Sequence, residues 1–160
     1  MHERDESPTG SLGRVWQPRA PARIVVAEDN DDLRELVMER LLDDGHEVYG
    51  ASCATELLHL LAAAGSTIPP LDGAHLIVLD QHLPGLSGIE IVRRLRNARS
   101  RIPFLLMTAF PTDELLRETK LLRVPILVKP FSLSDLSNAA LLLLLMNVSP
   151  SDDRRPQAAV

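Results

Sequence analysis

The sequence predicts an α/β domain built on a doubly wound, five-stranded parallel sheet with five flanking helices. Five short apolar runs alternate along the chain with segments whose apolar residues recur at helical spacing. Strands that are apolar throughout are typical of a parallel sheet that helices cover on both faces. The 160 residues, 45% of them hydrophobic, suffice for one domain with a sizeable core.

The first two units are predicted as strand one 23–27, helix one 31–44, strand two 47–52 and helix two 54–64. Asn30 or Asp31 is the expected N-cap of helix one, and Gly45 lies just past its end. After helix two, an unusually long connection carries glycine and proline at Gly65, Pro69, Pro70 and Gly73.

The other three units are predicted as strand three 76–79, helix three 87–98, strand four 104–107, helix four 112–119, strand five 126–128 and helix five 132–147. Residues 1–22 have several prolines and mixed charges without apolar periodicity, which predicts a disordered arm. Residues 149–160 are predicted to form a disordered polar tail. The single domain is therefore expected at 23–148.

Four of the predicted strands are followed by polar side chains that can bind ligands or take part in chemistry. Glu28 and Asp29 follow strand one, and Asp80, Thr108 and Lys129 follow strands three, four and five. In an open parallel sheet, the carboxyl ends of the strands meet at a crevice where ligands bind. Three crowded carboxylates repel one another unless a cation neutralises them, and Mg²⁺ is expected because it prefers oxygen ligands and phosphate. With an ammonium and a hydroxyl available for phosphoryl oxygens, the set indicates a phosphoryl-accepting aspartate.

With their neighbours, these residues resemble the receiver domain of two-component response regulators. The motifs are Glu28-Asp29, Asp80 with Leu83-Pro84 and Gly88 behind it, Thr108-Ala109, and Lys129-Pro130-Phe131. Each motif is weak alone, but the combination, which covers residues 22–148, is highly specific. The spacings between Asp80, Thr108 and Lys129 match the family, whereas Asp29 and Asp80 lie several residues further apart than usual. The resemblance implies the flavodoxin-like receiver fold.

The resemblance also implies a signalling switch rather than an enzyme, although one that catalyses its own phosphorylation and autodephosphorylation. Asp80 is then the nucleophile that takes a phosphoryl group from a phosphohistidine on a sensor histidine kinase or a histidine phosphotransfer protein. Lys129 neutralises charge on the phosphoryl oxygens. The Thr108 hydroxyl swings toward the phosphoryl group and repositions the segment around strand four and helix four.

Mg²⁺ is the cofactor that the resemblance implies. Asp29 is expected to bind the ion directly and Glu28 through water, with Asp80 and the backbone carbonyl of His82 as further ligands. A plainer alternative is that Glu28 and Asp29 only cap helix one. Asp80 and Lys129 at matching strand ends favour the metal site.

One position departs from the family pattern. Three residues before Lys129, receivers usually carry Tyr or Phe, and this chain has Ile126. Isoleucine has a stiff χ1 and no polar tip, so the usual aromatic relay is in doubt, while the phosphorylation chemistry is untouched. Phe110 is the nearest ring that could serve instead.

Helix five carries more leucine than one buried stripe needs. Its predicted inward positions are Leu136, Ala140, Leu143, Leu144 and Asn147. Leu141, Leu142 and Leu145 then face outward, and an exposed apolar patch usually marks an interaction site. We expect self-association or a docked partner helix there; the alternative is that the N-terminal arm covers these leucines.

Composition excludes some classes of function. A net charge of −5 and only five aromatic residues argue against nucleic-acid binding. The longest apolar run, 139–146, is too short to span a bilayer, which needs about 20 residues. The single Cys53 and the lack of a charged-then-apolar leader favour the cytoplasm.

Three interpretations of the whole chain stay open. A stand-alone phosphorylated receiver is favoured by the intact Asp80, Thr108 and Lys129 and by the short tail. A pseudo-receiver would keep the fold as a constitutive interaction module without phosphorylation. The chain could also be a fragment of a larger regulator or hybrid kinase.

Overall fold

A computed structural model describes residues 21–62 and 73–147 of the chain. Strands and helices alternate through these residues. Their bounds are β1 Arg23–Ala27, α1 Asp31–Asp43, β2 Glu47–Ala51, α2 Ala54–Ala62, β3 Leu76–Asp80, α3 Gly88–Asn97, β4 Phe104–Thr108, α4 Asp113–Leu122, β5 Ile126–Val128 and α5 Leu133–Met146.

The five strands form one parallel sheet in the order β2-β1-β3-β4-β5. This order confirms the predicted doubly wound, flavodoxin-like receiver fold. The register pairs Ala27 with Leu79, Asp80 with Met107, and Thr108 with Val128. The carboxyl ends of β1, β3, β4 and β5 therefore finish at one edge of the sheet, which we call the carboxyl edge.

Apolar residues alternate between two core layers, one on each face of the sheet. Val25 and Ala27 of β1 face the layer that α2, α3 and α4 cover, whereas Ile24 and Val26 face the layer under α1 and α5. Both layers are closed to solvent, which explains why the strands are apolar at successive positions. None of the described helices is both long enough and apolar enough to cross a membrane.

The helix starts follow the expected capping chemistry. Asn30 caps α1, since its side-chain oxygen accepts the N–H of Leu33 at 2.9 Å. Ser87 and Ser132 begin α3 and α5 with capping boxes, in which an acidic side chain three residues later accepts the serine N–H. The predicted starts of these three helices were therefore accurate to one residue.

The predicted end of helix four was wrong. α4 continues to Leu122, with Thr119 inside the helix and its hydroxyl donating to the Leu116 carbonyl at 3.1 Å. Arg123 ends the helix in the left-handed conformation, with φ at 56°. No glycine marks this end, so the usual sequence signal for a helix C-terminus is missing.

Two smaller predictions also failed. β2 stops at Ala51 because the N–H of Ser52 donates to the Glu56 carboxylate at 2.7 Å instead of to a strand. Asn147, predicted to face inward, is exposed at the C-cap of α5, where its side-chain amide donates to the Leu143 carbonyl at 2.8 Å. The predicted arm up to residue 20, the connection 63–72 and the tail from 148 lie outside the described residues.

Candidate functional site

Two acidic side chains are carried to the carboxyl edge by the strands themselves. Glu28 comes directly after β1, and its backbone N–H donates to the Ala51 carbonyl at 3.1 Å. Asp80 is the last residue of β3. Glu28 is 2% exposed and Asp80 is 4% exposed, whereas Asp29 beside them is exposed. The edge thus holds two buried carboxylates and one that faces solvent.

Lys129 joins the two buried carboxylates. Its Nζ lies 2.7 Å from Glu28 Oε2 and 3.0 Å from Asp80 Oδ1. The lysine is placed there because it follows β5, where its backbone N–H donates to the Thr108 carbonyl at 2.8 Å. The sequence prediction that these three side chains meet is confirmed by these distances.

The turn after β3 is shaped around Asp80. The N–H of His82 donates to Asp80 Oδ2 at 3.1 Å, so both carboxylate oxygens have a donor. Gly88 begins α3 directly against this turn: a Cβ atom there would lie 2.6 Å from the Asp80 carbonyl oxygen and 2.7 Å from Leu106 Cδ1. Only glycine allows this close approach, which holds α3 against the end of β3.

The pKa values of the ion pair reflect burial and crowding. Burial raises the pKa of Glu28, and the negative charge of Asp80 raises it further, against the opposing effect of the Lys129 hydrogen bond. Burial by itself would lower the pKa of Lys129, but its hydrogen bonds to Glu28 and Asp80 and their charges raise it overall. Lys129 is therefore a firmly protonated cation, and the edge carries excess negative charge.

The donor set fits a hard divalent cation. Glu28, Asp29 and Asp80 each offer a carboxylate oxygen, and these oxygens lie within 4.8 Å of one another. Oxygen ligands and uncompensated negative charge are what Mg²⁺ selects. Among the described residues, Lys129 is the one side-chain cation paired with these acids. One ammonium does not balance three carboxylates, so the site can accept a further positive charge. The side chain of His82 is exposed, and the role of its carbonyl stays a prediction.

Thr108 lies at the end of β4 and is completely buried. Its Oγ1 accepts the backbone N–H of Phe110 at 3.1 Å, which ties the hydroxyl to the loop before α4. The Phe110 ring is 72% exposed, whereas Ile126 on β5 is half-buried. The hydroxyl is thus at the carboxyl edge, and the nearest candidate ring is in the loop rather than on β5.

The outer face of α5 is apolar, as predicted. Leu141, Leu142 and Leu145 are 38%, 60% and 40% exposed, and Met146 beyond them is 81% exposed. Leu136 and Ala140 on the opposite side are buried against α1 and the sheet. We call Leu141, Leu142, Leu145 and Met146 the α5 patch.

Two residues near the site were not predicted from the sequence. Arg34 of α1 donates through Nη1 to the Glu28 carbonyl at 2.8 Å. Gly50 of β2 lies under this side chain, since a Cβ atom there would be 3.5 Å from Arg34 Cδ. A glycine inside a strand is a known sign of close packing, and the Asp31–Arg34 spacing is that of a helical ion pair. Both signals were present in the sequence, but neither indicates the hydrogen bond between Arg34 and the Glu28 carbonyl.

Comparison with known proteins agrees with this geometry. The model of the response regulator receiver domain family matches residues 24–141. The response regulator MprA of Mycolicibacterium vanbaalenii is 31% identical over 141 residues, which cover 88% of this chain and 57% of that protein. This chain therefore spans little more than half the length of that relative. Sporulation initiation phosphotransferase F of Bacillus subtilis is 25% identical, covering 73% of this chain and 89% of that protein.

Solved structures give the same result for the fold. The chemotaxis response regulator CheY4 of Vibrio cholerae superposes with a TM-score of 0.66 at 25% identity, covering 78% of this chain and 99% of that one. A receiver domain of a Francisella response regulator superposes with a TM-score of 0.69 at 22% identity, covering 78% and 98%. With the family match over most of its length, this chain belongs to the response regulator receiver domain family.

Proposed function

We propose that this chain is a phosphoryl-accepting switch in which Asp80 is the acceptor. The observation that carries the proposal is the position of Lys129 Nζ, 3.0 Å from Asp80 Oδ1, at an edge that also gathers Glu28 and Asp29. A lone buried aspartate would be costly to ionise. Here both oxygens of the Asp80 carboxylate have a hydrogen-bond donor, the ammonium of Lys129 and the N–H of His82.

The proposed step is a transfer between two nucleophiles. A carboxylate oxygen of Asp80 forms a bond to the phosphorus of a phosphohistidine, while the phosphorus–nitrogen bond breaks and its electron pair stays on the imidazole nitrogen. An acyl phosphate results. Lys129, already at the carboxylate, is placed to neutralise a phosphoryl oxygen, which is the main contribution that a protein makes to this reaction.

Glu28, Asp29 and Asp80, with the carbonyl of His82, would hold Mg²⁺ at this site. When bound, the ion supplies positive charge that offsets the charge of the incoming phosphoryl group. Asp29 is the most accessible of the three carboxylates, which suits it to direct contact with the ion. Glu28 is held by Lys129 and by the N–H of Asn30 at 3.3 Å, which suits it to contact through water.

The partner implied by this chemistry is a phosphohistidine protein, either a sensor histidine kinase or a histidine phosphotransfer protein. The response to phosphorylation is proposed to run through Thr108, whose hydroxyl holds the Phe110 loop in the present structure. The α5 patch is proposed as the surface for self-association or for a partner helix. Its four large apolar side chains are exposed in the described part of the chain.

Intact mass spectrometry after incubation with acetyl phosphate and Mg²⁺ tests the proposal. The wild type is expected to gain one phosphoryl group, and Asp80→Asn to gain none. Asp113→Asn, which removes an exposed acid at the start of α4, is the matched control and should be labelled like the wild type. An unlabelled wild type would support a pseudo-receiver, and a labelled Asp80→Asn variant would exclude Asp80 as the acceptor.

A further inference from the structure

We propose that Arg34 is a positioning residue for the metal site, and this inference rests on the function proposed above. Its guanidinium fixes the backbone of Glu28, and with it the acid pair Glu28 and Asp29 that follows β1. Arg34 touches neither Asp80 nor the proposed phosphoryl position through any hydrogen bond among the described residues. It acts through the loop that carries two of the three acids.

The contacts of Arg34 hold both sides of this loop. Nη1 donates to the Glu28 carbonyl at 2.8 Å, and Nη2 pairs with the Asp31 carboxylate in the first turn of α1. Since the N–H of Glu28 already donates to the Ala51 carbonyl, both backbone polar groups of Glu28 are fixed. The Glu28 carbonyl lies beyond the end of β1, outside the hydrogen bonds of the sheet. The terminal nitrogens of one guanidinium can donate to this carbonyl and to the Asp31 carboxylate at the same time.

Gly50 of β2 lies beside the Arg34 side chain. A Cβ atom on Gly50 would lie 2.8 Å from Met38 Sδ and 3.5 Å from Arg34 Cδ. The short distance shows that α1 packs closely on β2 at Met38, and the Arg34 stem lies beside Gly50 at ordinary van der Waals distance. The side chain of Arg34 is only 19% exposed.

The sign of the effect on cation binding separates positioning from charge. A guanidinium near the acids repels a divalent cation, so removal of its charge alone would tighten Mg²⁺ binding. Removal of a positioning contact has the opposite effect, because groups that orient metal ligands typically contribute about 10- to 100-fold in affinity. Weaker binding in an Arg34 variant therefore identifies positioning as the dominant role.

Titration calorimetry of the full chain with Mg²⁺ tests the inference. Arg34→Ala is expected to bind Mg²⁺ at least about 10-fold more weakly than the wild type. Arg34→Lys keeps the charge, but a single ammonium cannot donate to the Glu28 carbonyl and the Asp31 carboxylate in the same geometry. This variant should therefore also bind Mg²⁺ more weakly than the wild type. Arg40→Ala is the matched control, since Arg40 lies on the same helix and bonds Asp44 and Ser137. Its affinity should equal that of the wild type.

The outcomes distinguish this inference from the proposed function. Equal or tighter Mg²⁺ binding by Arg34→Ala overturns the positioning role, while phosphorylation of wild-type Asp80 would still support the switch. A wild type that binds no Mg²⁺ overturns the metal site itself. Circular dichroism identifies variants that are unfolded, and Arg34→Lys carries the test if Arg34→Ala does not fold. A merely structural role would lower the melting temperature and leave the affinity of the folded variant unchanged.

Discussion

The carboxyl edge of the sheet and the α5 patch depart from the usual distribution of side chains in opposite directions. At the edge, ionisable groups are buried: Glu28 and Asp80 are almost inaccessible, and Lys129 lies between them. On α5, large apolar groups are exposed, with Leu142 at 60% and Met146 at 81%. Most soluble domains show the reverse arrangement at both kinds of position.

Each of the two regions lacks a partner of a different kind. Buried carboxylates need compensating charge, and Lys129 supplies only part of it at the edge. Exposed leucines favour contact with another apolar surface, because burying one leucine side chain stabilises by roughly 1.5–3 kcal/mol. The edge is thus suited to a cation and a phosphoryl group, and the α5 patch to another apolar surface. The two regions should therefore respond to different substitutions.

Lys129→Ala is expected to slow phosphorylation more than any other substitution proposed for the carboxyl edge that leaves Asp80 in place. Loss of its ammonium removes the cation nearest the acceptor oxygen, so phosphorylation by acetyl phosphate should slow on the order of 100-fold. Mg²⁺ binding should not weaken, because the substitution removes no proposed ligand and takes away a repelling charge. Lys120→Ala, which removes an exposed lysine of α4, is the control and should react at the wild-type rate. Wild-type rates in Lys129→Ala would contradict its assigned role.

Asp29→Ala should separate the metal from the nucleophile at the same edge. The substitution leaves Asp80 in place but removes a proposed Mg²⁺ ligand, so Mg²⁺ affinity should fall about 100-fold and phosphorylation should slow with it. Titration calorimetry gives the affinity directly. Asp32→Ala, an exposed acid of α1, should bind Mg²⁺ like the wild type. Equal affinity in Asp29→Ala would refute the ligand assignment.

The same two regions show how far sequence reasoning reaches. The parallel sheet and the meeting of Glu28, Asp80 and Lys129 were predictable because apolar runs fix the strands and parallel strands share a carboxyl edge, whereas the receiver topology was implied by the family resemblance. The exposed leucines of α5 were predictable because one helix face suffices for the core. Both predictions depend only on period and position.

Local hydrogen bonds were not predictable in this way. Arg34 of α1 donates to the Glu28 carbonyl beyond β1 and packs beside Gly50 of β2, a meeting of three elements that no single segment reveals. The end of α4 was misplaced since Arg123 adopts a left-handed conformation usually left to glycine. Such details depend on tertiary contacts rather than on periodicity.

Leu142→Glu should affect the α5 patch alone. A charge in place of a leucine that the contact would bury is expected to weaken self-association or helix docking at least about 10-fold, since burying one leucine contributes more than 1.4 kcal/mol. Analytical ultracentrifugation measures self-association, with phosphorylation by acetyl phosphate unchanged. Leu121→Glu on α4, which is 84% exposed in the wild type, tests whether any exposed leucine has this effect. A wild type that stays monomeric at high concentration, with these leucines inaccessible to solvent, would contradict the prediction.

A weaker effect, on stability alone, is expected from a buried ionisable group away from the carboxyl edge. His46 is 9% exposed, and within the described residues its Nδ1 has no hydrogen-bond partner. Burial lowers the pKa of His46 below 6.5, against the opposing charge of Asp44. The unfolded chain therefore binds more protons near this pH than the folded chain does. The contribution of neutral His46 to the free energy of unfolding is complete above about pH 6.5 and is lost as the pH drops below that value.

Urea denaturation between about pH 7.5 and 5.5 measures this loss. His46→Gln should lose less stability on acidification than the wild type. His59→Gln, at an exposed position of α2, should lose as much as the wild type. If the stabilities of His46→Gln and the wild type show the same pH dependence, proton uptake by His46 does not contribute to the loss of stability on acidification.

The acceptor itself can be mapped directly. Borohydride reduces an acyl phosphate to an alcohol, which marks the phosphorylated residue permanently. After treatment with acetyl phosphate and Mg²⁺, reduction and peptide mass spectrometry should place the mark on Asp80 and on no other residue. A mark on Asp29 or any other acid, or a phosphorylated chain with an unmarked Asp80, would contradict the proposal that the carboxyl edge is a phosphoryl-accepting site centred on Asp80.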